Sequence, residues 1–348
     1  MGSMMNYSFL GKFEPDILER TCFLFTSSAN LSQDYFTNRQ DRYHIFQSKE
    51  LTDYFFKIHQ SICSLSFKVL PNNDDAGYIM SWPETNPAPS PLDQPNKFRR
   101  ISTQLLHPLL KVNHNHKQNI NKSTFIYPVL QFTPLLRPDT STELPAIKSI
   151  FQSLASEPFS GSSWTFTAGY FNMTPSMRRL LLASNPARGI VIAASPWANG
   201  FFGSAGISGM LPPAYTHLSK RFVEAVRHNG LASQIRLKEW RRGTVNEPGG
   251  WSYHAKGIWV TLPGENSPSV SIVGSSNYTS RSYELDLEAN VVIVTGDEGL
   301  KKRLAEEERW LQEYAKEVDE DEFKKPERKV EWKVKLAMWA VRVLGGAL

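Results

Sequence analysis

His254, Ala255 and Lys256 place an imidazole and an ammonium two positions apart, and Gly274-Ser275-Ser276-Asn277 and then Glu288 follow them. These residue types suit the cleavage or transfer of a phosphodiester without a metal. A neutral imidazole can attack phosphorus and hold a covalent phosphohistidine, while a lysine and an asparagine donate to the non-bridging oxygens as charge grows in the transition state. Glu288 can accept from the second ring nitrogen of a histidine, fixing its tautomer and stabilising the imidazolium. If the segment is an extended strand, its period of two turns His254 and Lys256 to one face and Ala255 to the other. A bare H-x-K is more often a solvated strand face than a site, so the weight falls on the whole set.

A second, partial copy stands near the start. Ser27-Ser28-Ala29-Asn30 echoes Gly274-Ser275-Ser276-Asn277, and eleven residues after each asparagine comes an acid, Asp41 in one case and Glu288 in the other. Such a match is the signature of an internal duplication. The plain alternative is that S-x-N is a common turn tripeptide, repeated by chance.

The paired elements resemble the H-x-K and G-S-x-N motifs of the phospholipase D superfamily. Within it, Ser28-Ala29-Asn30-Leu31-Ser32, the run from Asp34 to Tyr43, Gly169-Tyr170-Phe171-Asn172, Ala194-Ser195-Pro196 with Asn199-Gly200-Phe201-Phe202-Gly203, and Tyr253-His254-Ala255-Lys256-Gly257 resemble the eukaryotic, mitochondrial phosphatidylglycerophosphate synthases. The resemblance runs from about Ser27 to the C-terminus. It implies an α/β fold with a mixed or mostly parallel sheet flanked by helices, the second repeat complete and the first a remnant. It also implies transfer of a phosphatidyl group from CDP-diacylglycerol to sn-glycerol 3-phosphate, at the matrix side of the mitochondrial inner membrane, with no cofactor and no metal. Lys256, Asn277, Ser275, Glu288, Asn30 and Asp41 join His254 as candidate catalytic residues, and Arg241, Arg242, Tyr170, Asn172, Asn199 and Arg39 are the candidate substrate contacts. Arg39 and Arg42 can hold phosphate, or pair with Asp34 and Asp41.

The departures bear on activity. Family members carry an H-x-K upstream of the first S-A-N, where this chain reads Phe13-Glu14-Pro15-Asp16. The second-repeat histidine of the superfamily usually serves as general acid and base, so the nucleophile is the partner missing here, and the chain as written is expected to be inactive or nearly so. The cause is expected to be a truncated sequence rather than an authentic short form; pairing of two His254 sites in a homodimer is a conceivable rescue. A phosphodiesterase or nuclease of the same superfamily, or a catalytically silent lipid-binding protein, stays open as an alternative.

Composition agrees with a folded body. With 348 residues, 41% apolar and 21% charged, the chain can bury a large core. The net charge of +5 and pI near 9.0 suit an acidic partner such as anionic lipid; no nucleic acid is expected, although charge alone does not exclude it. Two cysteines make no disulfide framework. No segment approaches the roughly eighteen apolar residues that span a bilayer, and Glu14, Asp16 and Glu19 argue against a matrix-targeting peptide at this N-terminus.

Punctuation and periodicity divide the chain. Residues 1–22 do not resemble the family, 23–70 form the first-repeat remnant with a helix over 51–65, and 71–124 form a linker and loop rich in Pro and Asn. His107, His114 and His116 lack an accompanying Cys or acid at ligand spacing, so they suit a solvated connection better than zinc. The second repeat occupies 125–318: helices over 143–156, 213–228 and 297–316, a helix capped by Thr174, and strands over 164–171, 189–194, 256–262, 270–274 and 290–294. The tail over 319–348 contains a helix in which Glu331, Lys335 and Arg342 share a narrow polar stripe. Trp332 and Trp339 lie on its wide apolar face, so it is expected at a lipid interface, the alternative being a terminal helix packed on its own domain.

Overall fold

The computed structural model describes residues 9–11, 23–27, 32–73, 76–111 and 123–343, and His114 and His116 lie outside them. Strands β1 (Phe9–Gly11) and β2 (Phe23–Ser27) precede the short helix α1 (Asp34–Thr37), β3 (Arg39–Gln40), β4 (Tyr43–Gln47) and α2 (Lys49–Cys63). The hairpin of β5 (Lys68–Pro71) and β6 (Tyr78–Ser81) leads to α3 (Pro95–Leu110). There follow β7 (Thr124–Gln131), α4 (Glu143–Leu154), β8 (Ser163–Ala168), α5 (Pro175–Ala183), β9 (Arg188–Ala194), α6 (Leu211–His228) and β10 (Ile235–Trp240). The remainder is β11 (Ser252–Tyr253), β12 (Gly257–Thr261), β13 (Val270–Val273), α7 (Ser280–Glu284), β14 (Glu288–Thr295), α8 (Glu298–Leu311), β15 (Ala315–Glu317) and α9 (Trp332–Val343).

Eight strands form the main sheet in the order β15-β10-β9-β8-β12-β13-β14-β7, while β1, β2 and β4 make a small antiparallel sheet of their own. Of the mixed or mostly parallel sheet expected from sequence, the mixed form is the one present, with only β8–β9 and β9–β10 of the main sheet running parallel. The reason lies in the connections. Parallel neighbours need a crossover, which α5 and α6 supply between β8, β9 and β10; the turn from β12 to β13 and the link from β13 to β14, which holds only the five-residue α7, make antiparallel pairs instead.

Alternation along the strands sorts the core onto two faces. Trp164, Phe166, Val191, Leu237, Ile258, Val260, Ile272 and Val292 turn to one side, where they bury against α4, α5 and α6 through Ile147, Phe151, Met177, Leu181 and Phe222. On the other side Ile190, Ile192 and Trp259 meet Leu304 and Leu311 of α8, and Leu130, Val273, Val291 and Ile293 meet α2 and α3. Helix α3 also corrects the reading of 71–124 as linker and loop. Phe98, Ser102, Leu106 and Leu110 recur on one buried face and Pro95 starts the first turn, a helical period that the surrounding prolines and asparagines obscure. Among the described residues no helix is long and apolar enough to cross a membrane.

Candidate active site

A two-residue parallel ladder joins the distant parts of the chain. β3 pairs with β11 so that Arg39 faces Ser252 and Gln40 faces Tyr253, and the His254 amide donates to the Gln40 carbonyl at 2.9 Å. One step further along, the fully buried Asp41 side chain accepts from His254 Nδ1 at 2.9 Å through Oδ2, while its Oδ1 accepts from the Arg42 amide at 2.8 Å. The acid that orients His254 is therefore Asp41, where the sequence reading had offered Glu288. An ionised carboxylate only accepts, so it holds the proton on Nδ1 and leaves the Nε2 lone pair facing the Tyr35 hydroxyl 3.4 Å away.

Lys256 reaches the same imidazole. Its Nζ lies 2.8 Å from Nδ1 and 2.9 Å from Nε2, and donates to the His254 carbonyl at 2.6 Å. The pair meets as expected, although His254, Ala255 and Lys256 form the link between β11 and β12 rather than a strand. Burial, reinforced by the Lys256 charge, pushes the His254 imidazole down to about 4 against the opposing pull of Asp41. Burial likewise lowers the Lys256 ammonium to about 8. At neutral pH the site thus holds a neutral base beside a cation, the combination needed to activate a hydroxyl next to a phosphate.

Glu288 has a different neighbour, the Ser275 hydroxyl, which donates to its Oε2. Burial raises this carboxyl to about 7. The turn that carries Ser275 is held by Asn290, whose Oδ1 accepts from the Ser275 amide at 2.7 Å. Gly274 permits this contact, since a Cβ there would sit 1.6 Å from that oxygen. Behind Glu288 lies Glu143, the first residue of α4. It is wholly buried and pushed well above the usual carboxylate range by burial and by Glu288 itself.

Aromatic rings wall the imidazole. Tyr35 and Tyr170 meet His254 edge-on at centroid distances of 5.2 and 5.5 Å, and Phe201 and Tyr215 stand 5.5 and 5.9 Å beyond Tyr170. Arg39 lies 4.4 Å over the Tyr35 ring and donates to Ser252 Oγ at 2.9 Å, with Asp34 3.7 Å away, so its positive charge borders the site. Arg281, paired with Asp286 at 3.1 Å, acts electrostatically on Tyr170, Tyr215 and Glu288. Sequence reasoning passed over Tyr35, Tyr215 and Arg281. Tyr35 sits inside the run quoted for the resemblance and Arg281 only four residues after Asn277, but Tyr215 carries no local signal.

Other expected contacts are engaged elsewhere. Arg241 stacks on Trp197 at 4.3 Å and bonds to the Gly243 carbonyl at 3.1 Å, and Arg242 stacks on Trp251 at 4.3 Å. Neither arginine shares a hydrogen bond with His254 or Lys256 among the described residues. Asn199 is buried and accepts from the Phe201 amide at 2.9 Å, so it shapes the turn that sets Phe201 against Tyr170. The Asn172 amide donates to the Tyr170 carbonyl at 2.9 Å. Asn277 half-emerges from its turn, and its Oδ1 has no hydrogen-bond partner. Asn30 lies outside the described residues.

Arg42 is engaged inside the fold, with Glu307 as its acid. Its buried guanidinium donates to the Lys256 and Ile272 carbonyls at 3.2 and 2.9 Å and to both oxygens of Glu307 at 3.0 and 2.8 Å, beneath the Trp259 ring. Gly257, at φ +149°, leaves the space it occupies. Among the described residues no three His, Cys, Asp or Glu side chains group to hold a metal ion.

The chain is 45% identical over 325 residues to the CDP-diacylglycerol--glycerol-3-phosphate 3-phosphatidyltransferase of Saccharomyces cerevisiae, a match covering 89% of this chain and 61% of that protein. It is 31% identical over 334 residues to the mitochondrial protein of the same name from Homo sapiens, covering 89% of this chain and 57% of the relative. The chain belongs to this family. It spans about three-fifths of the length of the curated relatives it matches first, 61% in each case. No family model matches it. Among solved structures, the phosphatidylserine synthase of Haemophilus influenzae Rd KW20 shares the fold, with a TM-score of 0.64 at 17% identity over 93% of this chain and 67% of that one.

Proposed function

We propose that this chain carries the acid–base half of a phosphatidyltransferase that moves a phosphatidyl group from CDP-diacylglycerol to sn-glycerol 3-phosphate, releasing CMP. The observation that carries this reading is the neutral His254 imidazole, held by Asp41 and set against the Lys256 ammonium between Tyr35 and Tyr170. As the partner histidine bonds to phosphorus and the bond to CMP breaks, an imidazolium at Nε2 protonates the departing CMP oxygen; the neutral Nε2 then takes the proton of the glycerol hydroxyl as that oxygen bonds to phosphorus and the phosphorus–nitrogen bond breaks. Lys256 offsets the charge that builds on the non-bridging oxygens, joined by the Asn277 amide when a phosphate occupies the site. Arg39, which acts on His254 and Lys256, and Arg281, which acts on Tyr170 and Glu288, suit the phosphates of donor and acceptor.

In the covalent route, one histidine forms the phosphohistidine while the other moves protons. His254 fills the second role, so the 348-residue chain alone is expected to turn over little or not at all. Residues 23–70 are assigned to a first-repeat remnant and 125–318 to the second repeat, with the intervening segment packed on the shared sheet. The names of the mammalian relatives support a mitochondrial setting, and the basic charge and α9 support a peripheral position on the inner membrane, facing the matrix.

The test is complementation of a synthase-deficient cell, with phosphatidylglycerophosphate formation followed by labelled glycerol 3-phosphate. The intact gene restores synthesis and its His254→Ala variant does not. Restoration by His254→Ala overturns the assignment, and robust turnover by the purified 348-residue chain overturns the single-role reading of His254.

A further inference from the structure

Lys220 and Arg221 on α6 and Lys335 on α9 act on His217 of α6, and Arg221 also acts on Arg178 of α5, beside Arg179. Among the described residues Arg178, Arg179, Arg221 and Lys335 form no ion pair; Glu224, 3.8 Å from Lys220, is the acid that acts on His217. Burial and the charges of Arg221 and Arg179 hold Arg178 below its ordinary value, and burial with Lys335 and Arg221 lowers His217. Cations assembled from three helices without matching acids repel one another, and an external anion relieves that repulsion.

The adjoining helix is turned the unusual way for a terminal element. α9 docks through Val334, while Trp332, Leu336 and Trp339 stand 67%, 53% and 61% exposed. At 3.6 residues per turn these three share a sector of about 60°, opposite Val334 and bordered by Lys335. A stripe of tryptophan and leucine that faces solvent beside unpaired cations matches the two demands of a lipid leaflet: rings at the headgroup boundary and charge against phosphate. Tyr215, two residues before His217, lies 5.9 Å from Tyr170, so this face continues towards the wall of the imidazole pocket.

We propose that α5, α6 and α9 form a docking face for an anionic phospholipid leaflet, with Arg178, Arg179 and Arg221 taking headgroup phosphates and Trp332 and Trp339 entering the interface. The inference rests on the lipid reading above and adds the class of lipid and the residues. It is read by binding, so it fails or stands separately from catalysis.

The test is sedimentation of the whole chain with phosphatidylcholine vesicles, with and without phosphatidylglycerol. The chain favours the anionic vesicles. R178Q/R179Q/R221Q weakens that binding about a hundredfold and R179Q/R221Q, both at exposed positions, about thirtyfold, with little change on neutral vesicles. W332A/W339A weakens binding to both vesicle types. Circular dichroism melts matching the parent chain exclude unfolding. Equal binding to neutral and anionic vesicles, an R179Q/R221Q variant that binds as the parent does, or tight binding of single-stranded DNA without a preference for anionic vesicles would overturn the proposal.

Discussion

Asp41 and His254 stand 213 positions apart in the chain and share a 2.9 Å hydrogen bond. The acid that follows the first S-x-N element serves the histidine of the second. By the symmetry of the duplication, Glu288, which follows the second element at the same spacing, is placed for a histidine of the first repeat. In this chain it takes the Ser275 hydroxyl instead.

Asp41→Asn removes the charge that raises the His254 pKa, so the imidazole becomes harder to protonate and loses its preference for a proton on Nδ1. Nitrogen-15 spectra of the ring, followed from pH 7 downwards, report both changes. A titration unchanged from the parent chain would contradict the role given to Asp41.

Lys256 supplies the cation of the site, and its ammonium is lost as pH rises through about 8. Binding of inorganic phosphate at the site should therefore weaken between pH 7 and 9. Calorimetry across that range checks it, and Lys256→Met should give weak binding with little of this pH dependence.

Glu288 has its folded pKa raised to about 7 from an ordinary value of 4.5. The folded state then holds a proton that the unfolded chain releases, so this group's contribution is fully present below about 4.5 and is lost as pH rises through 7. Glu288→Gln should flatten that part of the melting-temperature profile, with the variant gaining on the parent towards pH 8. A parallel pair of profiles would show that Glu288 titrates normally.

Arg42→Met leaves Glu307 without its guanidinium and the Lys256 and Ile272 carbonyls without a donor. Breaking a buried pair of this kind costs about 3–5 kcal/mol, at the lower end here because Glu307 keeps some solvent contact. Urea unfolding measures the loss. A loss under 1 kcal/mol would mean that the clamp between the early segment, β13 and α8 matters little to stability.

The local chemistry was legible in the residues themselves. The two-residue spacing of His254 and Lys256, the turn of Gly274 to Asn277, and the eleven-residue offsets to Asp41 and Glu288 named the groups that gather at the site. The apolar periods of α2, α4 and α6 located helices that are present. Spacing along a chain sets which side of an element a residue occupies, but not which distant element it meets. That Asp41 rather than Glu288 reaches His254 depends on the register of β3 against β11. That most of the main sheet is antiparallel depends on how β12, β13 and β14 connect, and that Trp332 and Trp339 look outward depends on Val334 docking. These choices were made by packing between segments far apart in sequence, where only the folded chain brings the competing partners within a few ångströms of one another.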